Sequence, residues 1–196
     1  MTRAGQTESP LTVIKIGGGL SATPGALDAV CATVSGLGRT RRIVVVPGGG
    51  PFADAVRRFE RSHGLSADAG HWMAILAMDQ YAHVLAERIA GARMVEDPGT
   101  IEETIGRAGV AVLAPSRWMR AADVLPHTWQ ASSDSVAAFV AGALDAERLI
   151  LVKPASVERA TTVDPCFRSV LPAGLPWTVL PWDRVGELAQ LLGAAS

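Results

Sequence analysis

Two runs of apolar, mostly β-branched residues near the start of the chain, 12–16 and 42–46, each lead into three consecutive glycines. The first run leads into Gly17, Gly18 and Gly19, and the second passes Pro47 into Gly48, Gly49 and Gly50. Nearly continuous apolar runs of this length are typical of strands that are buried on both faces of a parallel sheet. We therefore predict that both runs are buried strands that end in glycine loops.

Apolar residues recur at helical spacing after each loop, over residues 24–38 and 52–61. The alternation of strand and helix predicts a parallel sheet with right-handed crossovers. Residues 114–130 and 154–176 contain several prolines and are predicted to be irregular. Elsewhere the pattern predicts helices at 67–90, 100–108, 136–144 and 184–192, and strands at 92–95, 110–113, 149–152 and 177–180.

The longest predicted helix, residues 67–90, is apolar around most of its circumference. Such a helix is buried on more than one side, so we expect it to contact both the sheet and a partner subunit in a homo-oligomer, a dimer or larger. Asp79 and His83 lie four residues apart on this helix. They form either a hydrogen-bonded pair inside the fold or part of a substrate pocket.

The composition limits the kind of protein that the chain can be. With 196 residues, 48% hydrophobic residues and a mean hydropathy of +0.24, a single domain over residues 1–196 can form one large core. The formal net charge of −1 argues against nucleic acid or an anionic membrane as a partner. Residues 1–10 are polar and carry no apolar export signal, so we expect a cytoplasmic protein, with Cys31 and Cys166 as reduced thiols.

The glycine loops suggest phosphate binding, but neither fits a common nucleotide motif. A P-loop requires lysine after the glycines, and a dinucleotide fingerprint requires a further glycine two residues beyond the second. Instead, the two lysines of the chain, Lys15 and Lys153, each lie in or at the end of a predicted strand. A buried ammonium group needs an anion, and Asp134 is a candidate. Asp134 can equally be an N-cap of the following helix, as can Ser132 or Ser133.

If the first two strands are neighbours, their loops lie side by side at the carboxyl edge of the sheet, where ligands bind in open α/β folds. Two adjacent anion cradles suit a phosphate donor and a phosphate acceptor. Phosphoryl transfer depends mainly on positioning and on charge neutralisation, which two lysines can supply.

The order of Lys15 with its glycines, the second glycine loop and Ser133-Asp134-Ser135 resembles the amino acid kinase family. The resemblance implies an α/β fold, a three-layer α/β/α sandwich with a mainly parallel sheet of about eight strands. It also implies an enzyme that uses ATP and Mg²⁺ and phosphorylates a small molecule. We expect the Mg²⁺ to be held mostly by ATP oxygens, because the sequence has no paired-carboxylate motif for a metal.

The same resemblance implies roles for individual residues. Lys15 corresponds to the lysine on the transferred phosphoryl group, and Asp134 to the acid that organises the catalytic lysines. Gly17, Gly18 and Gly19 correspond to the loop on the nucleotide phosphates. Gly48, Gly49 and Gly50 correspond to the loop between the acceptor and the phosphoryl group.

The chain departs from the family pattern after its predicted strand at 149–152. Lys153-Pro154-Ala155-Ser156 replaces a nucleotide-lining motif, and no lysine follows Lys153, although the family has a late catalytic lysine. Either Lys153 takes over that role or the role is absent. We expect Lys153 and Ser156 beside the nucleotide. Asp164 is expected there too, unless Thr162-Val163-Asp164-Pro165 is only a turn. Gly19 stands where most relatives have serine.

Within the family, His63-Gly64-Leu65, His71-Trp72 and Trp129 resemble the small kinases of methanofuran biosynthesis. This implies phosphorylation of an (aminomethyl)furanmethyl phosphate to its diphosphate. Ser133 then lies in the substrate site, Asp54, Asp68 or Asp79 pairs with the amine, and Trp129 stacks on the substrate or simply packs. Gln130 stands where that group has an acid. Two alternatives are a kinase for another phosphate monoester or a carboxylate such as an amino acid, and a non-catalytic nucleotide- or oxyanion-storage protein.

Overall fold

The computed structural model describes residues 10–106, 108–154 and 163–193. Their strands form one six-stranded sheet, in which every pair of neighbours is parallel. The strand order is β3-β4-β2-β1-β5-β6. The strands are β1 Leu11–Ile16, β2 Arg42–Pro47, β3 Ala92–Val95, β4 Gly109–Leu113, β5 Arg148–Lys153 and β6 Trp177–Pro181.

Helices cover both faces of this sheet. They are α1 Ala26–Leu37, α2 Gly50–His63, α3 Ala67–Arg88, α4 Pro98–Ile105, α5 Ser116–Ala122, α6 Ser133–Ala143, α7 Phe167–Val170 and α8 Leu188–Gly193, with 3-10 turns at Gly18–Ala22 and Trp182–Glu187. The central strands alternate their buried side chains between two apolar cores. Val13 and Val44 enter the core with α4 and α6, whereas Ile14 and Val45 enter the core with α1 and α8. The result is the predicted three-layer α/β/α sandwich.

The central elements agree with the hydrophobic pattern, and the departures are local. The described residues contain six strands, fewer than the eight or so that the resemblance implies. The segments 114–132 and 163–176 supply the short helices α5 and α7 where irregular structure was predicted. Both helices are shorter than two turns, so they contain too few residues for a helical period to be visible in the sequence.

Helix α3 is buried by its own chain more completely than predicted. Ile75 and Met78 enter one core and Tyr81 and Leu85 the other, so the helix serves both. Among the described residues, Leu76 is the only large apolar side chain of α3 that is exposed, at 47%. The apolar circumference therefore does not itself require a partner subunit, and the oligomeric state stays a prediction. None of the described helices is long and apolar enough to cross a membrane.

Candidate active site

The two glycine loops touch each other at the carboxyl edge of the sheet. They follow β1 and β2, which are neighbouring strands, as was assumed when the loops were predicted to lie side by side. The Gly48 N–H donates to the Ile16 carbonyl at 2.8 Å. A Cβ placed on Gly18 would lie 2.1 Å from the Gly50 nitrogen, and one placed on Gly48 would lie 2.3 Å from the Gly18 nitrogen. Only glycine permits this approach of the two backbones.

The second loop turns directly into α2. Gly50 has a φ of 55°, in the left-handed region that glycine adopts without strain. A Cβ at this position would also approach the Tyr81 ring at 3.3 Å. The amino end of α2 therefore lies at the loop contact, where its free N–H groups and helix dipole favour an anion.

A buried ion triad lies beside the loops. Lys15 projects from β1, Lys153 from the end of the neighbouring β5, and Asp134 from the first turn of α6. The Lys15 ammonium is 2.9 Å from one carboxylate oxygen of Asp134, and the Lys153 ammonium is 2.7 Å from the other. Asp134 thus holds both lysines. The N-cap of α6 is Ser132, whose hydroxyl accepts a hydrogen bond from the Asp134 N–H at 3.4 Å.

Burial and the neighbouring charges act in opposite directions on this triad. Asp134 is only 3% exposed. Its burial would raise the carboxyl pKa, but the two ammonium groups outweigh burial and lower that pKa. The pKa of Lys153 is lowered by burial, an effect that Asp134 opposes and Lys15 reinforces. Two ammonium groups beside the first glycine loop would attract an anion such as phosphate.

Asp164 has contacts that the sequence did not predict. Its carboxylate accepts hydrogen bonds from the backbone N–H and the hydroxyl of Ser132, at 3.1 and 2.8 Å. It also accepts from the backbone N–H of Ser135, at 3.0 Å, and from the Ser135 hydroxyl. Asp164 therefore fixes the start of α6, and with it the position of Asp134. Its expected contact with a nucleotide stays a prediction.

A cavity of about 330 Å³ opens between the glycine loops, α2, α3 and residues 128–133. Its lining includes Gly18, Gly19, Gly49, Gly50, Asp54, Trp129 and Ser133 from the predicted set. Gly17 and Gly48 are not in that lining, and neither are the predicted catalytic residues Lys15, Asp134 and Lys153, which lie beside the first glycine loop. The Gly17 N–H donates to the Val152 carbonyl at 2.9 Å, which ties the first loop to β5.

Some predicted substrate contacts are already engaged with protein groups. The Asp54 carboxylate is 2.9 Å from the Arg57 guanidinium, and Arg57 lies over the Trp129 ring at 4.5 Å from its centre. The Trp129 indole N–H donates to Glu60. Trp129 therefore packs against α2, and one face of its ring is covered by a cation.

The remaining candidates lie elsewhere. Asp68 accepts from the Trp72 indole N–H and contacts His127. Asp79 accepts from the Ser116 backbone N–H at 3.0 Å, and burial raises its pKa. His83 is exposed, so the predicted interior pair with Asp79 is wrong. Ser156 lies outside the described residues.

Two titratable residues of the cavity lining, Arg57 and His71, were not predicted as site residues. Arg57 lies three residues after Asp54 on α2, and that spacing places both side chains on one face of the helix. From the sequence, His71 was noted only in the His71-Trp72 pair that resembles the small kinases. Nothing local distinguishes it, because its partner in the fold is His127, 56 residues later in the chain.

Comparisons with known proteins agree with this architecture. [5-(Aminomethyl)furan-3-yl]methyl phosphate kinase from Methanocaldococcus jannaschii is 29% identical over 139 residues, which are 71% of this chain and 63% of that protein. The chain thus spans less than two thirds of the length of this relative.

Solved structures share the fold at low identity. UMP kinase from Ureaplasma parvum matches with a TM-score of 0.72 at 12% identity, over 96% of this chain and 97% of that one. UMP kinase from Bacillus anthracis matches with a TM-score of 0.70 at 11% identity, over 96% and 93%. The model of the amino acid kinase family matches residues 10–156, three quarters of the chain, and the protein therefore belongs to the amino acid kinase family.

Proposed function

We propose that the protein is an ATP-dependent kinase that phosphorylates [5-(aminomethyl)furan-3-yl]methyl phosphate to its diphosphate in methanofuran biosynthesis. The observation that carries the proposal is the bridge from Asp134 to Lys15 and Lys153, at 2.9 and 2.7 Å, beside two touching glycine loops. The substrate comes from the similarity to the M. jannaschii enzyme, which is named for this reaction.

The proposed step is a transfer between two phosphates. An oxygen of the acceptor phosphate forms a bond to the terminal phosphorus of ATP, while the bond from that phosphorus to the β–γ bridging oxygen breaks. The electron pair of the broken bond remains on ADP. Lys15 and Lys153 would neutralise the charge on the transferred group, which is the main catalytic requirement of such a transfer. Asp134 would hold their ammonium groups in place.

The glycine loops fit phosphate groups on both sides of the reaction. Backbone N–H groups near a helix start bind phosphate oxygens, and Gly18, Gly49 and Gly50 all line the cavity. We assign the first loop to ATP and the second to the acceptor, as in the family pattern. The contact between the loops would bring the two phosphates together, which supports direct transfer.

Mg²⁺ fits the proposal as an ion that arrives with ATP. Within residues 10–106, 108–154 and 163–193, no group of three or more His, Cys, Asp or Glu side chains is arranged to hold a metal. Bound to phosphate oxygens, the ion would neutralise charge on ATP. The lysines would then act on the transferred phosphoryl group itself.

The test is a panel of acceptors incubated with ATP and Mg²⁺, in which ADP and the phosphorylated product are measured. We expect the aminofuran phosphate to be the preferred acceptor. Preference for isopentenyl phosphate, UMP or an amino acid would overturn the substrate and keep the kinase. ATP binding by calorimetry without transfer to any acceptor would favour a storage protein instead.

A further inference from the structure

Three aromatic rings contact one another beside the cavity, and one of them, His71, lines it. We call these rings and their two carboxylate partners the histidine cluster; it comprises His71, Trp72, His127, Asp68 and Asp123. The rings of His71 and His127 stack with centres 4.3 Å apart and 16° between their planes. The Trp72 ring meets both edge-on, at 4.8 and 5.0 Å. Of the cluster, His71 is the member that lines the cavity.

The geometry around His127 requires a protonated ring. Its Nδ1 is 2.7 Å from an Asp68 oxygen, and its Nε2 is 2.8 Å from an Asp123 oxygen. An ionised carboxylate only accepts hydrogen bonds, so both ring nitrogens must donate, which an imidazolium alone can do. The hydrogen bond to Asp123 is the main cause of the raised pKa of His127, and the bond to Asp68 adds to it.

His71 is consequently a neutral imidazole. It is only 8% exposed, and a second positive charge stacked 4.3 Å from His127 would be repelled. Burial is the main cause of its lowered pKa, and the charge of His127 lowers that pKa further. No residue in the described part of the chain forms a hydrogen bond with its ring nitrogens. A neutral imidazole keeps one lone pair that accepts a hydrogen bond.

His71 lies far from the glycine loops along α3. Tyr81, on the same helix, packs against Gly50. His71 precedes Tyr81 by ten residues, about 15 Å along the helix axis at roughly 1.5 Å per residue. The lining of the cavity thus has a glycine end and a histidine end.

The groups beside the two ends differ in kind. The glycine end offers backbone N–H groups, and the ammonium groups of Lys15 and Lys153 lie beside its first loop. At the histidine end, carboxylate oxygens of Asp68 and Asp123 contact the two nitrogens of the His127 ring, which stacks on His71. A ligand with phosphate at one end and an ammonium group at the other matches these groups.

We propose that His71 recognises the acceptor, and that its lone pair accepts a hydrogen bond from an ammonium group at the end remote from the reacting phosphate. The inference rests on the proposed function and specifies how the same cavity selects its substrate. His127, pinned by Asp68 and Asp123, keeps His71 neutral and therefore able to accept this bond.

The test compares two acceptors on matched variants. One acceptor is [5-(aminomethyl)furan-3-yl]methyl phosphate, and the other carries methyl in place of aminomethyl. The wild-type protein should prefer the amine by roughly 10- to 100-fold in kcat/KM, as for a hydrogen bond to a charged group. His71→Phe retains the ring stack and should lose this preference, while its KM for ATP stays unchanged. His71→Gln, which retains an accepting oxygen, should restore part of the preference.

His83→Phe is the control, because His83 is an exposed histidine on the same helix. It should leave the preference at the wild-type value, and thermal melting of each variant separates misfolding from lost recognition. An undiminished preference in a folded His71→Phe protein would overturn the proposal.

A second measurement needs no turnover, and so distinguishes failure of this inference from failure of the proposed function. In protein labelled with ¹⁵N-histidine, the aminomethyl compound added without nucleotide should shift the ring signals of His71, and the methyl compound should not. If no acceptor is phosphorylated but these shifts occur, the proposed reaction is wrong and the recognition by His71 stands. If neither compound, or both equally, shifts the signals, His71 does not recognise the amine.

Discussion

The two ends of the cavity are built in different ways. At the glycine end, backbone groups of adjacent strands meet and the charged side chains come from β1, β5 and the first turn of α6. At the histidine end, all the groups are side chains from α2, α3, α5 and the segment after α5. A single substitution can replace a side chain at the histidine end, whereas it leaves the backbone N–H groups at the glycine end in place. The glycine end is therefore suited to a reaction that stays the same, and the histidine end to ligand recognition that substitutions can change.

The largest expected effect comes from breaking the glycine end. Lys15→Ala should lower kcat by about 100- to 1,000-fold, as when one preorganised charge-stabilising group is removed. Asp134 keeps Lys153 as its ion partner, so circular dichroism should show a folded protein. The preference for the amine over the methyl acceptor should persist in the residual activity.

Lys153→Ala is the matched substitution, and it tests whether Lys153 performs the role of the late lysine in the family. A comparable loss of kcat is expected for it. Wild-type turnover by a folded Lys15→Ala protein would contradict the role proposed for the ion triad.

A smaller effect, on stability, tests the contact between the loops. Gly18→Ala would place a methyl group 2.1 Å from the Gly50 nitrogen, and neither backbone can yield without separating the loops. We expect the free energy of unfolding to fall by about 3 kcal/mol or more, as measured by denaturant titration.

Gly36→Ala is the control, because nothing lies within 4 Å of a Cβ at that position in α1. It should raise the free energy of unfolding by about 0.5–1 kcal/mol. Equal stability of the two variants would mean that the loops do not touch as described.

The smallest expected effect concerns the histidine end and depends on pH. Asp123 has a φ of 46°, which asparagine tolerates well, so Asp123→Asn should keep the backbone and remove one carboxylate from His127. The pKa of His127 is raised in the folded protein, so this interaction stabilises the fold below the unfolded pKa of about 6.5 and is lost as the pH rises through the folded value. The melting temperature should therefore differ more from wild type at about pH 5.5 than at about pH 9. A difference that grows with pH would contradict the assignment.

The sequence predicted the centre of the fold well, because its signals there are local. β1 and β2 are runs of β-branched residues, and α6 follows a serine-rich start, so each is visible in a short window. The glycine contact could be predicted as well, once two such strands were assumed to be neighbours. Lys15, Lys153 and Asp134 were brought together by a chemical argument, since two buried ammonium groups need an anion.

The rest depends on contacts between distant parts of the chain. Asp164 binds the start of α6 from about 30 residues away, and its sequence neighbours indicate only a turn. His71 and His127 come from separate segments, and nothing in either predicts a stacked pair. The apolar circumference of α3 suggested a partner subunit, but its own chain covers most of it, because α3 contributes to both cores. Tertiary packing of this kind has no local period.

The contact between Gly18 and Gly50 acts as a built-in spacer. Because backbone meets backbone there, the gap between the two glycine turns depends on no rotamer and on no flexible side chain. Mutation of the walls of the cavity can therefore change which molecule enters without changing how far that molecule stands from its phosphoryl donor. A protein with this arrangement can acquire new substrates while the distance between the reacting groups stays the same.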